Sequence, residues 1–149
     1  MQLSKKRTFA SWLCLSIFCL SFALPSQAEI KKTLGSWEVH YIAFTSTFLT
    51  PEIARANKIL RSKKNALVNI SVLDRRSKEA QAVEMTGTAR NLLGTLKPLT
   101  FKEVVEGDAI YYLASVPFSH KEVLRFDINI KQGSTTQNLK FQQTMYVDE

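Results

Sequence analysis

The clearest pattern in the chain lies near its C-terminus, where Leu124, Phe126, Ile128 and Ile130 alternate with Arg125, Asp127, Asn129 and Lys131. Successive side chains of a strand point to opposite faces, so a period of two marks a strand with one buried face. After Gly133-Ser134 the alternation resumes, with Leu139, Phe141, Met145 and Val147 set against Lys140, Gln142, Thr144 and Tyr146. Together the two runs predict a hairpin. A second hairpin is predicted where Glu106-Gly107-Asp108 separates Leu99–Val105 from Ala109–Val116. Val83–Arg90, Leu67–Leu73 and Trp37–Phe44 complete a set of about seven short strands separated by turn signals, which predicts an all-β, antiparallel, immunoglobulin-like β-sandwich.

One helix interrupts this pattern, after the first strand. Thr50 is placed to cap it by accepting an orphan backbone N–H, Pro51 suits its first turn, and Glu52 complements its dipole. Ile53, Ala54 and Ala56 are expected against the sheet edge, with Asn57 as the stop. Phe48 or Leu49 before Thr50 and Ile53 or Ala54 after it are expected to form a hydrophobic staple. No repeat and no long linker divides residues 29–149, so they are read as one domain.

The first 28 residues have a different character. Lys5-Lys6-Arg7 precede an uncharged run whose apolar heart, Phe9–Leu24, spans ~24 Å as a helix and falls short of the ~30 Å hydrocarbon core. Pro25 follows, and then Ser26-Gln27-Ala28 with small residues at the positions a signal peptidase reads. This is the layout of a secretory signal peptide, with cleavage expected after Ala28, a periplasmic destination, and no transmembrane segment left behind.

Removal of residues 1–28 changes the composition. Both cysteines, Cys14 and Cys19, leave with the leader, and with them any disulfide, thiolate metal site or cysteine nucleophile. The formal charge of +7 falls to +4, from 17 basic and 13 acidic residues in a mature chain of 121. Residues 51–78 alone carry +6. That local excess admits two readings: solvated polar connections, or weak contact with anionic lipid. Nucleic acid is a poor partner for an exported chain with so small an excess.

A specific motif runs from Glu38 through Val39-His40-Tyr41-Ile42-Ala43-Phe44-Thr45-Ser46-Thr47-Phe48-Leu49-Thr50-Pro51-Glu52 to Arg61-Ser62 and Asn69-Ile70-Ser71-Val72-Leu73. It resembles an exported proteobacterial family known as domain of unknown function 4426. The resemblance implies a periplasmic location in a Gram-negative bacterium and brings no activity, cofactor or catalytic residue.

Read from the residues, the motif is either a core strand followed by a capped connection, or a contact surface. The contact surface would be formed by His40, Tyr41, Ser46, Thr47, Arg61 and Asn69, whose polar groups and single Arg suit a carboxylate or a peptide end. The leading expectation is a non-enzymatic periplasmic module that binds or assists another envelope component, a protein, a peptide or a small ligand. A small hydrolase or lyase using His40 with a nearby hydroxyl is the alternative; no G-x-S-x-G elbow accompanies it. His120 is expected in a solvated connection, and an exposed tyrosine of the Tyr111-Tyr112 pair beside Phe118 would make an aromatic contact surface. Two separated histidines without cysteine give no metal-ligand spacing, Glu103, Glu106 and Asp108 fit no calcium loop, and no cofactor is expected.

Overall fold

The computed structural model describes residues 30–147. The predicted signal peptide, residues 1–28 with both cysteines, lies outside the described residues. Nine strands run in chain order: β1 (Lys31–Leu34), β2 (Trp37–Thr45), β3 (Asn65–Asp74), β4 (Glu84–Asn91), β5 (Leu96–Leu99), β6 (Lys102–Glu106), β7 (Ala109–Pro117), β8 (Glu122–Gln132) and β9 (Thr135–Met145). A 3₁₀ turn (Ser46–Phe48) and the short helix α1 (Pro51–Ala56) fill the connection from β2 to β3. The strands make two antiparallel sheets, ordered β1-β2-β3-β7-β6 and β5-β4-β8-β9.

Two-residue turns close three hairpins, β1–β2 at Gly35-Ser36, β6–β7 at Gly107-Asp108 and β8–β9 at Gly133-Ser134. Each begins with a glycine at positive φ, the conformation such turns require at their first central position. The C-terminal hairpin follows the alternation in the sequence, with Phe126 opposite Phe141 and Ile128 opposite Leu139.

Three expectations change. Leu99–Val105 is not one strand: β5 pairs with β4 and β6 with β7, so the chain crosses between the sheets at Thr100-Phe101. Local alternation carries no mark of such a crossing. The edge strand β1 adds to the predicted set, which places α1 after the second strand. Phe48 does not turn inward, being 74% exposed, and of the helix residues only Ala54 is buried. The cap itself is as expected, with the Ile53 N–H donating to Thr50 Oγ1 at 3.3 Å.

Apolar side chains alternating along both sheets meet in one core. Val39, Ala66, Val68, Ile70, Val72, Tyr112, Ala114 and Val116 from the first sheet face Ala89, Leu124, Phe126, Ile128, Ile130 and Leu139 from the second. Tyr112 ties the layers: its hydroxyl accepts the Val83 N–H at 2.7 Å and donates to Glu103 Oε2 at 2.9 Å. Of the adjacent tyrosines, Tyr112 is core and Tyr111 faces outward, while Phe118, expected at a contact surface, is buried. At the flank where β2 lies over β9, Tyr41 packs on Phe141 at 4.6 Å between ring centroids, and Phe141 stacks on Phe126 at 4.5 Å.

Candidate functional site

Strand β2 is apolar on both of its faces. Trp37, Val39 and Ala43 point between the sheets, while Glu38, His40, Ile42 and Phe44 point outward. The register of β3 sets Leu73, Ser71, Asn69 and Leu67 directly beside those outward residues. Tyr111 of β7 joins the same surface.

The edge of β2 is only partly covered. Strand β1 ends at Lys31, and the last backbone bond across the hairpin runs from the Tyr41 N–H to the Ile30 carbonyl at 3.0 Å. Main-chain groups of an antiparallel strand face alternate neighbours, so Ala43 and Thr45 next present theirs on that side. No strand among the described residues pairs with them there. The end of β9 borders the gap, with the Thr45 hydroxyl donating to the Tyr146 carbonyl at 3.4 Å. His120 lies exposed in the β7–β8 connection, as expected, and holds the same tail by accepting the Val147 N–H at 3.2 Å.

These boundaries enclose a groove of about 660 Å³. Its walls are largely apolar: Ile30, Ile42, Phe44, Phe48, Tyr111 and Tyr146. Phe44 and Phe48 meet edge to face at 6.4 Å. Thr45, Ser71, Gln143 and Thr144 add polar groups to this lining, and two further polar features mark it. Asn69 Oδ1 is buried with no hydrogen-bond partner among the described residues. His40 Nε2 sits 2.9 Å from Glu38 Oε1. Glu38 is also bound by Lys78 at 2.8 Å and Lys31 at 3.4 Å. Hydrogen bonds from Lys78 and then His40, outweighing the effect of burial, bring its pKa down to about 2.

The six residues expected at a contact surface separate into two groups. His40, Tyr41 and Asn69 line the groove. Ser46, Thr47 and Arg61 stand apart and brace the β2–β3 connection. Ser46 is fully buried, its hydroxyl donating to the Leu60 carbonyl at 2.8 Å and accepting the Ser62 N–H at 3.0 Å. The Arg61 guanidinium donates from Nε to the Leu49 carbonyl at 2.7 Å and from Nη2 to the Thr47 carbonyl at 3.0 Å. Ser46 and Thr47 follow the lower end of β2, ~17–20 Å of strand away from His40. The hydroxyl that the register sets beside His40 is that of Ser71.

Ile42, Phe44, Phe48, Tyr111, Met145 and Tyr146 were absent from the sequence-based contact set. Ile42 and Phe44 had a visible signal, since they make the second face of an already apolar strand apolar too. Met145 and Tyr146 arrive from about a hundred residues away, and nothing local announces them.

The basic segment 51–78 is also divided. Arg55, Lys58, Lys63 and Lys64 precede β3, whereas Arg75, Arg76 and Lys78 follow it, at opposite ends of ten strand residues or ~33 Å. It is two clusters rather than one patch.

Comparison with known proteins agrees with this architecture. A crystal structure of a DUF4426 family protein from Pseudomonas aeruginosa PAO1 is 34% identical, covers 83% of this chain and 99% of its own, and superposes with a TM-score of 0.73. Two structures of FetP from uropathogenic Escherichia coli strain F11, one a copper-bound variant and one as isolated after expression in the periplasm, share the fold at 11% and 10% identity. Their TM-scores are 0.59 and 0.57; they cover 82% and 80% of this chain and 92% and 95% of their own. No curated protein sequence matches. The family model for the domain of unknown function DUF4426 spans residues 31–148, and the chain belongs to that family.

Proposed function

We propose that the chain is an exported, periplasmic, non-catalytic binding module whose groove receives an extended segment of another envelope polypeptide. The carrying observation is the open edge of β2 at Ala43, set between exposed apolar side chains and the buried, unpartnered Asn69 carbonyl oxygen. An extended chain supplies what each lacks: main-chain donors and acceptors for the edge, apolar side chains for Ile42, Phe44 and Phe48, and an N–H for Asn69. Export is supported by Lys5-Lys6-Arg7, the apolar run and Ser26-Gln27-Ala28. An intact mass beginning at Glu29 tests that part, and with it the single mature domain 29–149.

The immunoglobulin-like reading is supported by strand order. Strands β2-β3-β7-β6 over β5-β4-β8-β9 follow the A-B-E-D and C′-C-F-G order of that class, with β1 as an added edge. Among the described residues no three His, Cys, Asp or Glu side chains gather where they could hold a metal.

The peptide reading is tested by selecting a displayed library of short peptides on the exported protein and re-measuring the winners on Ile42→Asp. Ile42 is surface-exposed, so that variant keeps its melting temperature while losing the peptides. Methylating the peptide nitrogen that faces Ala43 weakens binding further. Equal binding to wild type and Ile42→Asp overturns the assignment.

One observation favours hydrolysis as a second reading: Glu38 holds His40, and Ser71 lies directly across the strand pair. A fluorophosphonate probe then labels Ser71 in wild type and leaves His40→Ala unlabelled. Absence of labelling in wild type ends that reading.

A further inference from the structure

The connections at one end of the sandwich share a chemistry that the groove does not use. That end gathers the β2–β3 connection, the β4–β5 turn (residues 92–95), the β7–β8 connection (residues 118–121) and the tail after β9. Hydrogen bonds fasten them together. The Phe118 N–H donates to the Lys64 carbonyl at 2.9 Å, Lys97 Nζ to the Pro117 carbonyl at 2.8 Å, and Asn91 Nδ2 to Glu122 Oε1 at 2.9 Å.

Exposed apolar residues concentrate there. Leu93 is 92% exposed, Leu60 71% and Leu92 61%, joined by Leu96 and Ile53. Leu92 and Leu93 form the tip of the β4–β5 turn, as far from the core as that hairpin reaches. At the opposite end, among the described residues, the exposed large hydrophobic is Val105.

The surrounding charge is predominantly positive. Arg55, Lys58, Lys63, Lys64, Arg90 and Lys121 belong to the same connections or border them. Of the acids at this end, Glu122 is engaged by Lys97 at 2.8 Å, which leaves Glu52. The bases stay in clear excess even with Asp148 and Glu149, which follow Val147 in the sequence, counted against them.

We propose that this end docks on an anionic lipid bilayer, with Leu92 and Leu93 entering the acyl boundary and the lysines and arginines of the neighbouring connections resting on lipid phosphates. Protruding leucines at an end rich in basic residues match a bilayer surface, apolar just beneath and negatively charged at the headgroups. A folded acidic protein would satisfy the charges yet leave a convex apolar tip without a pocket, so the bilayer is the better complement. Leu92, Leu93, Lys63 and Lys64 are not among the residues that line the groove, although Phe48 and Tyr146 bring its walls to this same end.

The test uses the exported protein and vesicles of equal parts phosphatidylglycerol and phosphatidylcholine, with pure phosphatidylcholine as the neutral control. Cosedimentation is expected with the anionic vesicles alone and is expected to fall with added salt, since surface charge is screened within ~8 Å at physiological ionic strength. Lys63→Ala with Lys64→Ala weakens binding by roughly tenfold or more. Leu92→Ser with Leu93→Ser also weakens it, and neither pair lowers the melting temperature because the side chains are exposed. Leu93→Trp then reports insertion directly, against a constant background from buried Trp37. Its emission shifts to the blue on anionic vesicles and is quenched by brominated acyl chains. Failure to bind anionic vesicles, equal binding to neutral ones, or binding without quenching overturns the proposal, whatever the outcome for peptides in the groove.

Discussion

The buried hydroxyl of Ser46 donates to the carbonyl of Leu60 across fourteen residues of chain, at 2.8 Å. It also accepts the Ser62 N–H at 3.0 Å, so a single side-chain oxygen closes the excursion that carries α1. In Ser46→Ala the Leu60 carbonyl keeps Asn65 Nδ2 as a donor, but the Ser62 N–H is orphaned. Such a loss costs about 1–3 kcal/mol. Denaturant unfolding should show the midpoint falling with an unchanged slope. An unchanged midpoint would remove Ser46 from the brace.

Arg61 does the same work from outside, bridging the Leu49 and Thr47 carbonyls. The planar guanidinium reaches both because its N–H groups form a rigid fork, a geometry lysine lacks. Arg61→Lys and Arg61→Ala should therefore behave alike. Both should speed amide hydrogen exchange across α1 while exchange in β2 and β3 stays slow, and protection in Arg61→Lys equal to wild type would contradict the bridging role.

How much of this was legible in the sequence depends on whether the signal was local. The β8–β9 hairpin and the glycine turns at Gly107 and Gly133 were readable because alternation and turn chemistry are properties of neighbours, whereas the short β1 before Gly35 went unread. The crossing at Thr100-Phe101 was hidden, since a strand that changes sheets keeps its period. Ser46 and Arg61 looked like ligand-binding groups because a polar side chain reads the same whether it faces a ligand or a carbonyl of its own chain. The groove needed β9 laid beside β2, which no local pattern encodes.

Gly87 shows a constraint of the same non-local kind. A Cβ there would meet Ile128 Cγ1 at 2.8 Å and the Asp127 carbonyl oxygen at 2.9 Å. The carbonyl belongs to the backbone of β8, which cannot step aside without disturbing its own pairing. Gly87→Ala should destabilise by about 1–3 kcal/mol, as overpacking does. Thermal unfolding measures it, and a neutral result would mean that β4 and β8 separate freely.

Tyr112 packs its ring in the core and bonds both layers through its hydroxyl, so Tyr112→Phe, which keeps the ring, is a clean deletion of the bonds. Burial first, and the neighbouring Glu103 in addition, push the phenol pKa upward against the opposing Val83 N–H, keeping it protonated to donate to Glu103. The phenylalanine variant leaves the Val83 N–H without its acceptor and should lose about 1–2 kcal/mol. Exchange of the Val83 amide should quicken more than that of its neighbours. Uniform exchange across the start of β4 would show that the bond contributes little.

The stability of the chain should also depend on pH through Glu38. Its carboxylate takes hydrogen bonds from Lys78 and His40, which lower its folded pKa from 4.5 to about 2. The ionised form is the one the folded state prefers, so its contribution is fully present above pH 4.5 and disappears as pH falls through about 2. Asp74, bonded by the Ser77 and Arg76 N–H groups, and Asp127, bonded by Asn138 and Lys140, are lowered in the same sense. Glu38→Gln isolates one term of this sum. Its melting temperature should lie below wild type at neutral pH, and the gap should narrow between pH 4.5 and 2 as the wild-type carboxylate is protonated. Because Asp74, Asp127 and Glu122, whose burial is outweighed by hydrogen bonds from Lys97 and Asn91 that lower its carboxyl, all remain, both proteins should still lose stability in acid, the variant less steeply. Parallel melting curves across that window would assign the acid sensitivity to Asp74, Asp127 and Glu122 instead, and would leave the Lys31–Glu38–Lys78 cluster without energetic weight.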